Sequence, residues 1–280
     1  MRKLLGRLVG QNTGVAFSYS AVVVDNDAAR SAEPTASEFA NAGSLSIAYC
    51  VEPEPNIARA RNLAIRTSTG DYIAFIDDDE FPESDWLESL FTARARFNAS
   101  GVLAPVRPYF ETEPPKWLKD GKFFDRPEHE TGFVLDWSEC RTGNVLFSKS
   151  ILEGDDEPFD VKFNTAGEDV DFFRRMVQKG CVFVWSQEAA VHEIVPASRC
   201  NRRYLLKRAL LRGSNFSKHP AHRIANAARS LVAVPCYTIA LPVFALFGQH
   251  VFLKYLIKLL DHASRLLSYM GLPVVSERHT

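Results

Sequence analysis

Short apolar runs that stop at acidic residues punctuate most of this chain. Ala21-Val22-Val23-Val24 leads into Asp25-Asn26-Asp27, the form of a buried parallel strand whose carboxyl end opens onto polar groups. Ser46 to Val51 predicts a second strand, and Asp71 to Ile76 a third that runs directly into Asp77-Asp78-Asp79-Glu80. Val102 to Val106 and Cys181 to Trp185 complete the predicted set, the latter as the last core strand. Between them the period lengthens. Residues 56–68 place Ile57, Ala60, Ala64 and Ile65 on one face of a predicted helix that Gly70 stops, and residues 84–97 predict another. Gly167-Glu168-Asp169 opens a helix reaching about Lys179, and Leu4, Leu5 and Leu8 mark the end of an amphipathic helix at the start. Residues 31–44 read as a surface loop. Residues 111–130, charged and carrying Trp117, Phe123 and Phe124, predict an irregular segment, either a substrate lid or a solvated insertion. Strands alternating with helices imply an α/β fold with a mostly parallel sheet, in which ligands bind at the carboxyl ends of the strands.

The last part of the chain has a different pattern. Between Ile194 and Leu260 there are eleven Lys or Arg and no Asp or Glu, and nine of these cations precede the uncharged stretch Ser230 to Gly248. As a helix that stretch would extend about 28 Å, against roughly 30 Å of bilayer hydrocarbon. Pro235 and Pro242 predict a kink, so a re-entrant or shallowly tilted helix competes with a full span. Val251 to Met270 sets Leu253, Leu256, Ile257, Leu260, Leu266 and Leu267 among Lys254, Lys258 and Arg265, which suits a helix lying in a membrane interface. The alternative is a pair of buried helices in a soluble dimer. Basic flanks attract anionic lipid and keep the preceding domain on the cytoplasmic face of the inner membrane. The predicted organisation is therefore a domain over residues 1–213 and a membrane-associated helical region over 214–280.

Composition adds exclusions. A formal net charge of −1 provides no field that would draw in nucleic acid. Five cysteines without a C-x-x-C pair exclude a ready zinc or dithiol site and fit a reducing cytosol. Gly6, Arg7 and Gly10 interrupt the apolar run at the start, unlike a cleaved signal peptide.

Candidate chemistry lies in two acidic motifs. Three consecutive aspartates at the end of a buried strand repel one another. Either they form a solvated turn, or a divalent cation such as Mg²⁺ or Mn²⁺ neutralises them and completes its shell with water and substrate phosphates. Glu168-Asp169 opens a helix, where the dipole favours ionised carboxylates. It is either ordinary capping or a base for an acceptor hydroxyl.

Taken in order, Asn56-Ile57-Ala58-Arg59-Ala60-Arg61-Asn62, Gly70 through Asp79, and Gly167-Glu168-Asp169-Val170-Asp171 resemble successive motifs of family 2 glycosyltransferases. The flavour is that of bacterial exopolysaccharide enzymes of the succinoglycan type. The resemblance covers about Val22 to Gly213 and implies a GT-A fold, a Rossmann-like sheet flanked by helices. It implies an inverting hexosyl transfer from a nucleotide-sugar, expected to be a UDP-sugar, to a lipid-linked or oligosaccharide acceptor at a membrane. On this resemblance Asp25 reads the base, and Asn56, Arg61, Asp77 and Asp78 lie beside the nucleotide. Asp77 and Asp79 form the D-x-D pair, with Asp79 on the metal and His192 near metal or diphosphate. Asp169 is the catalytic base and Glu168 positions the acceptor. Thr142-Gly143-Asn144 resembles the segment beneath the donor sugar.

One family feature has no counterpart. An apolar first strand ending in Thr-Tyr or a similar pair normally precedes the helix that here opens the chain, and it would lie between two neighbours in the sheet. The expectation is a start upstream of Met1 or a catalytically silent copy. A nucleotidyltransferase is a further rival, disfavoured because no Gly-rich, Lys-containing loop accompanies the first predicted strand.

Overall fold

The computed structural model describes residues 1–272 except 15, 164–166 and 219–222; the side chains of 214–218 and 223 also lie outside the description. The helices are α1 (Arg2–Leu8), α2 (Glu33–Asn41), α3 (Ile57–Thr67), α4 (Trp86–Phe97), α5 (Lys116–Gly121), α6 (Glu168–Gln178), α7 (Arg202–Lys218), α8 (Arg223–Ala245) and α9 (Gln249–Tyr269). The strands are β1 (Ala21–Asp25), β2 (Ile47–Val51), β3 (Tyr72–Ile76), β4 (Glu80–Pro82), β5 (Gly101–Leu103), β6 (Val106–Phe110), β7 (Asn144–Ser148), β8 (Phe183–Trp185) and β9 (Val191–Val195). They form two compact units. One comprises Met1–Tyr109 with Arg126–Ile194, the other Phe110–Asp125 with Val195–Thr280. Residues 195–213, grouped by sequence with the first domain, thus belong with the C-terminal helices.

In the first unit, β1 and β2 form a parallel pair, and a separate ladder has the order β3-β7-β5-β8. The sheet is more mixed than the sequence predicts: β7 runs antiparallel to both β3 and β5, while β5 and β8 are parallel. Among the described residues no strand joins β1 to β3, and Val22 to Val24 are only half-buried. Alternation divides the central strands between two cores. Val102, Leu146 and Val184 face Trp86, Leu90 and Leu5, whereas Leu103, Val145, Phe147 and Phe183 face Phe159, Phe172 and Phe173. The second core is a chain of aromatic contacts, with Phe159 4.7 Å from Phe172 and Phe173 5.0 Å from Phe183.

Two predicted elements differ from the observed ones. Residues 33–41 are helical, not loop: Glu33 and Pro34 suit a first turn, and Ala36 is buried. Helix α3 buries Ala58, Asn62 and Ile65 and leaves Ile57 37% exposed. The polar Asn62 turns inward because its amide donates to the Phe159 carbonyl at 2.8 Å and accepts from the Phe159 N–H at 2.9 Å. A count of apolar positions cannot register such a residue.

The second unit packs α7 and α8 on α9. Leu205, Ala209 and Gly213 form the buried face of α7, and a Cβ at Gly213 would lie 2.2 Å from the Asp261 carbonyl oxygen, so only glycine allows this approach. Asp261 joins the helices by accepting from Arg212 at 2.9 Å and Arg265 at 3.0 Å. The segment predicted as a lid or a solvated insertion contains α5, and its Leu118 and Phe124 are buried with Val195, Leu205 and Leu253. Its aromatic residues serve as core.

Candidate active site

The acidic turn after β3 folds back on itself. The Glu80 N–H donates to the Asp77 carbonyl at 3.0 Å, and the Asp77 N–H donates to Glu80 Oε2 at 3.2 Å. The chain then enters β4, which pairs antiparallel with β9 so that Glu80 lies opposite Glu193 and Phe81 opposite His192. Glu80 is 1% exposed and its Oε1 has no hydrogen-bond partner. Burial, then the Asp77 charge, push its carboxyl up to about 9. Asp77 is reached by solvent but closely surrounded by protein, as in a recess. Desolvation raises its pKa, opposed by Arg61 and reinforced by Asp79.

Arg61 links the two acidic motifs. From α3 its guanidinium pairs with Glu168 Oε1, both side chains being nearly buried, while its charge acts on Asp77. Burial nonetheless leaves the Glu168 carboxyl above its ordinary range, and Glu168 Oε2 has no partner. Gly167, with φ +101°, makes the left-handed entry to α6 that sets Glu168 and Asp169 in its first turn. Asp169 is half-buried, and its Oδ1 accepts the Val170 N–H at 2.7 Å. A second cation, Arg126, pairs with Glu193 at 2.5 Å and draws the Asp77 and Glu80 carboxyls downward.

Gly143 is buried close against the acidic turn. A Cβ there would sit 3.1 Å from Glu80 Oε1 and 3.2 Å from Asp77 Oδ2. Asn144 holds this floor, accepting from Trp86 Nε1 at 2.9 Å and donating to the carbonyls of Pro105 and Ala189, each at 2.9 Å. An acidic turn with an unpartnered buried carboxylate oxygen, offset only in part by Arg61 and Arg126, fits a hard cation. No three His, Cys, Asp or Glu side chains among the described residues form a finished cage. Such an ion would have to complete its shell with water and substrate phosphates.

The remaining predicted residues are placed as follows. Asp25 ends β1, 6% exposed, with Oδ2 accepting from Tyr49 Oη at 2.9 Å and the Ala32 N–H at 2.7 Å. Burial and this carboxylate push the Tyr49 phenol up to about 12, so it remains a donor. Asn56 caps α3: its Oδ1 accepts from the N–H groups of Ala58 and Arg59, and its amide donates to the Val161 carbonyl. Asp78 is exposed, and the Asp79 carbonyl accepts the Ile194 N–H at 2.8 Å. His192 lies on the face of the β4–β9 ladder opposite Glu80, stacked on Phe81 and 3.4 Å from Glu83. The structure thus brings Asp77, Arg61 and Glu168 together and does not bring His192 to Glu80. Sequence reasoning passed over Glu80 and Arg126. Glu80 adjoins the aspartate triplet, whereas nothing in sequence marks Arg126.

Residues 16–153 match the sequence model described as Glycosyl transferase family 2, a span that includes Asp25, Asn56, Arg61 and the aspartate turn. The succinoglycan biosynthesis protein ExoM of Rhizobium meliloti (strain 1021) is 33% identical over 222 residues, covering 78% of this chain and 70% of that protein. Chondroitin synthase of Pasteurella multocida (strain Pm70) is 30% identical over 160 residues, 45% of this chain but 16% of its own length. Among solved structures, residues 1–349 of S. aureus TarS with UDP superpose with a TM-score of 0.53 at 14% identity, covering 96% of this chain and 87% of that one. The same TarS fragment with UDP-GlcNAc gives 0.53 at 13% identity, covering 96% and 85%. These likenesses establish the GT-A fold.

Proposed function

This chain belongs to glycosyl transferase family 2 and is a glycosyltransferase; we propose that it transfers a hexose from a UDP-sugar to a lipid-linked saccharide in exopolysaccharide or other cell-surface glycan synthesis, with inversion at the anomeric carbon. The observation that carries this reading is Arg61, which pairs with Glu168 while acting on Asp77 and so joins the donor and acceptor motifs in one site. ExoM, by its name, acts in succinoglycan biosynthesis, and TarS was solved with UDP and UDP-GlcNAc.

In this reading Asp25 receives the base at the end of β1, held in place by Tyr49. Arg61, Asn56, Asp77 and Asp78 flank the nucleotide, and Gly143, packed close against Asp77 and Glu80, lies beneath the donor sugar. Asp77 and Asp79 would hold Mg²⁺ or Mn²⁺; His192, on the ladder face opposite Glu80 and stacked on Phe81, lies outside this set. A bound ion of this kind supplies positive charge to a leaving diphosphate. Asp169 accepts the proton of the acceptor hydroxyl as that oxygen bonds to the anomeric carbon, and the bond from that carbon to the diphosphate breaks on the opposite face. Glu168, fixed by Arg61, positions the acceptor. The C-terminal helices keep the enzyme on the cytoplasmic face of the membrane, where a soluble donor meets a lipid-linked acceptor.

Calorimetric titration with UDP, with and without Mn²⁺, tests the site on the wild type, Asp79→Ala and His192→Ala. Metal-dependent binding should be lost in Asp79→Ala and kept in His192→Ala. Unchanged affinity in Asp79→Ala would remove the metal assignment.

A further inference from the structure

Helix α8 presents a continuous apolar stripe that nothing among the described residues of its unit covers. Ile224 is 87% exposed and Ile239 78%, with Leu231, Val232 and Val243 on the same helix, and Leu246, in the turn that follows it, is 84% exposed. The opposite face packs on α9: Ser230 Oγ lies 3.0 Å from His262 Nδ1, and the Phe244 ring stacks 3.6 Å from Tyr255. The two helices are therefore antiparallel neighbours along their length. By length and composition, Ile224–Ala245 is a candidate span.

The charges on α9 oppose a crossing orientation. Lys254 and Lys258 flank Tyr255, level with Phe244, and Asp261 and Arg265 flank His262, level with Ser230. A membrane-crossing α8 would carry these charges of its partner through the hydrocarbon, where ionised groups are strongly disfavoured. The exposed cations of the unit suit an anionic surface. Arg202, Arg203, Lys207 and Arg208 are exposed with no carboxylate partner among the described residues, and Arg202 and Arg208 rest over the rings of Trp117 and Phe124.

We propose that α8 lies in the plane of an anionic bilayer, with the Leu231–Ile239–Leu246 stripe among the acyl chains and α9 on its aqueous side. The proposal rests on the membrane reading above and fixes its geometry: docking on one leaflet, not crossing both.

The test uses the full chain with phosphatidylcholine vesicles, with and without phosphatidylglycerol. The protein should co-sediment with the anionic vesicles, and Ile239→Glu, on an exposed position, should reduce partitioning about tenfold or more. Depth is read at Cys236, which is exposed and shares a helix face with Ala225 and Val243. With Cys50, Cys181 and Cys200 replaced by Ser, a fluorophore is placed at Cys236, or at Ala225→Cys or Val243→Cys with Cys236 also replaced. Quenching by lipids brominated at known depths should give one shallow depth for all three positions. A deep Cys236 between two shallow ends would overturn the in-plane geometry and leave the membrane reading standing. Absence of vesicle binding would overturn both, and a dimer that Ile239→Glu splits into monomers would identify a second copy as the occupant of the stripe.

Discussion

Glu80 makes a prediction about stability that needs no substrate. Its carboxyl is pushed from an ordinary 4.5 up to about 9 by burial and by Asp77. Above pH 4.5 the unfolded chain releases this proton while the folded chain retains it, so folding stability should fall as pH rises and level off above about 9. At 1.36 kcal/mol per pH unit, the interval from 4.5 to 7 corresponds to about 3 kcal/mol against the folded state at neutrality. Glutamine matches the neutral acid in shape and does not titrate. Glu80→Gln should therefore stabilise the first unit by up to about 3 kcal/mol at pH 7 and by almost nothing near pH 4. For a unit of this size that corresponds to roughly 6–10 °C in melting temperature. Denaturant unfolding of both proteins in EDTA, followed by tryptophan fluorescence from pH 4 to 8, measures the difference. A pH-independent difference, or a variant less stable than wild type at pH 8, would show that Glu80 is ionised in the apo protein. The same reasoning predicts proton release when Mn²⁺ binds with UDP, visible as heats that depend on the ionisation enthalpy of the buffer.

Three further substitutions probe separate parts of the site. Asp169→Asn should lower turnover by about 10²–10⁴ with UDP affinity intact, and retained turnover would exclude Asp169 as the base. Gly143→Ala places a methyl about 3.1 Å from Glu80 Oε1; donor affinity in calorimetry should drop while the melting temperature stays within a few degrees, and unchanged affinity would mean that the donor does not enter over Gly143. Arg61→Leu leaves Glu168 buried without its cation, which should cost about 3–5 kcal/mol at neutral pH in chemical denaturation. Adding Glu168→Leu should restore much of that loss, and two additive losses would refute a coupled pair.

The strands and the order of the motifs were legible in the sequence because each rests on local pattern: an apolar run, an acidic stop, a glycine before a helix. β1, β3, α3 and α6 all appear where the pattern puts them. What stayed hidden depends on partners distant in the chain. Asn62 faces inward because the backbone of Phe159 satisfies it, and Trp117, Phe123 and Phe124 read as loop because their neighbours, Leu205 and Leu253, lie far along the chain. Glu80 and Arg126 escaped notice for the same reason. A buried glutamate differs from a surface one only through what surrounds it, here Gly143 and Asp77. Arg126 sits in a charged stretch with no periodic cue, and its place at the site comes from Glu193 on β9, a partner that only the folded chain brings within reach.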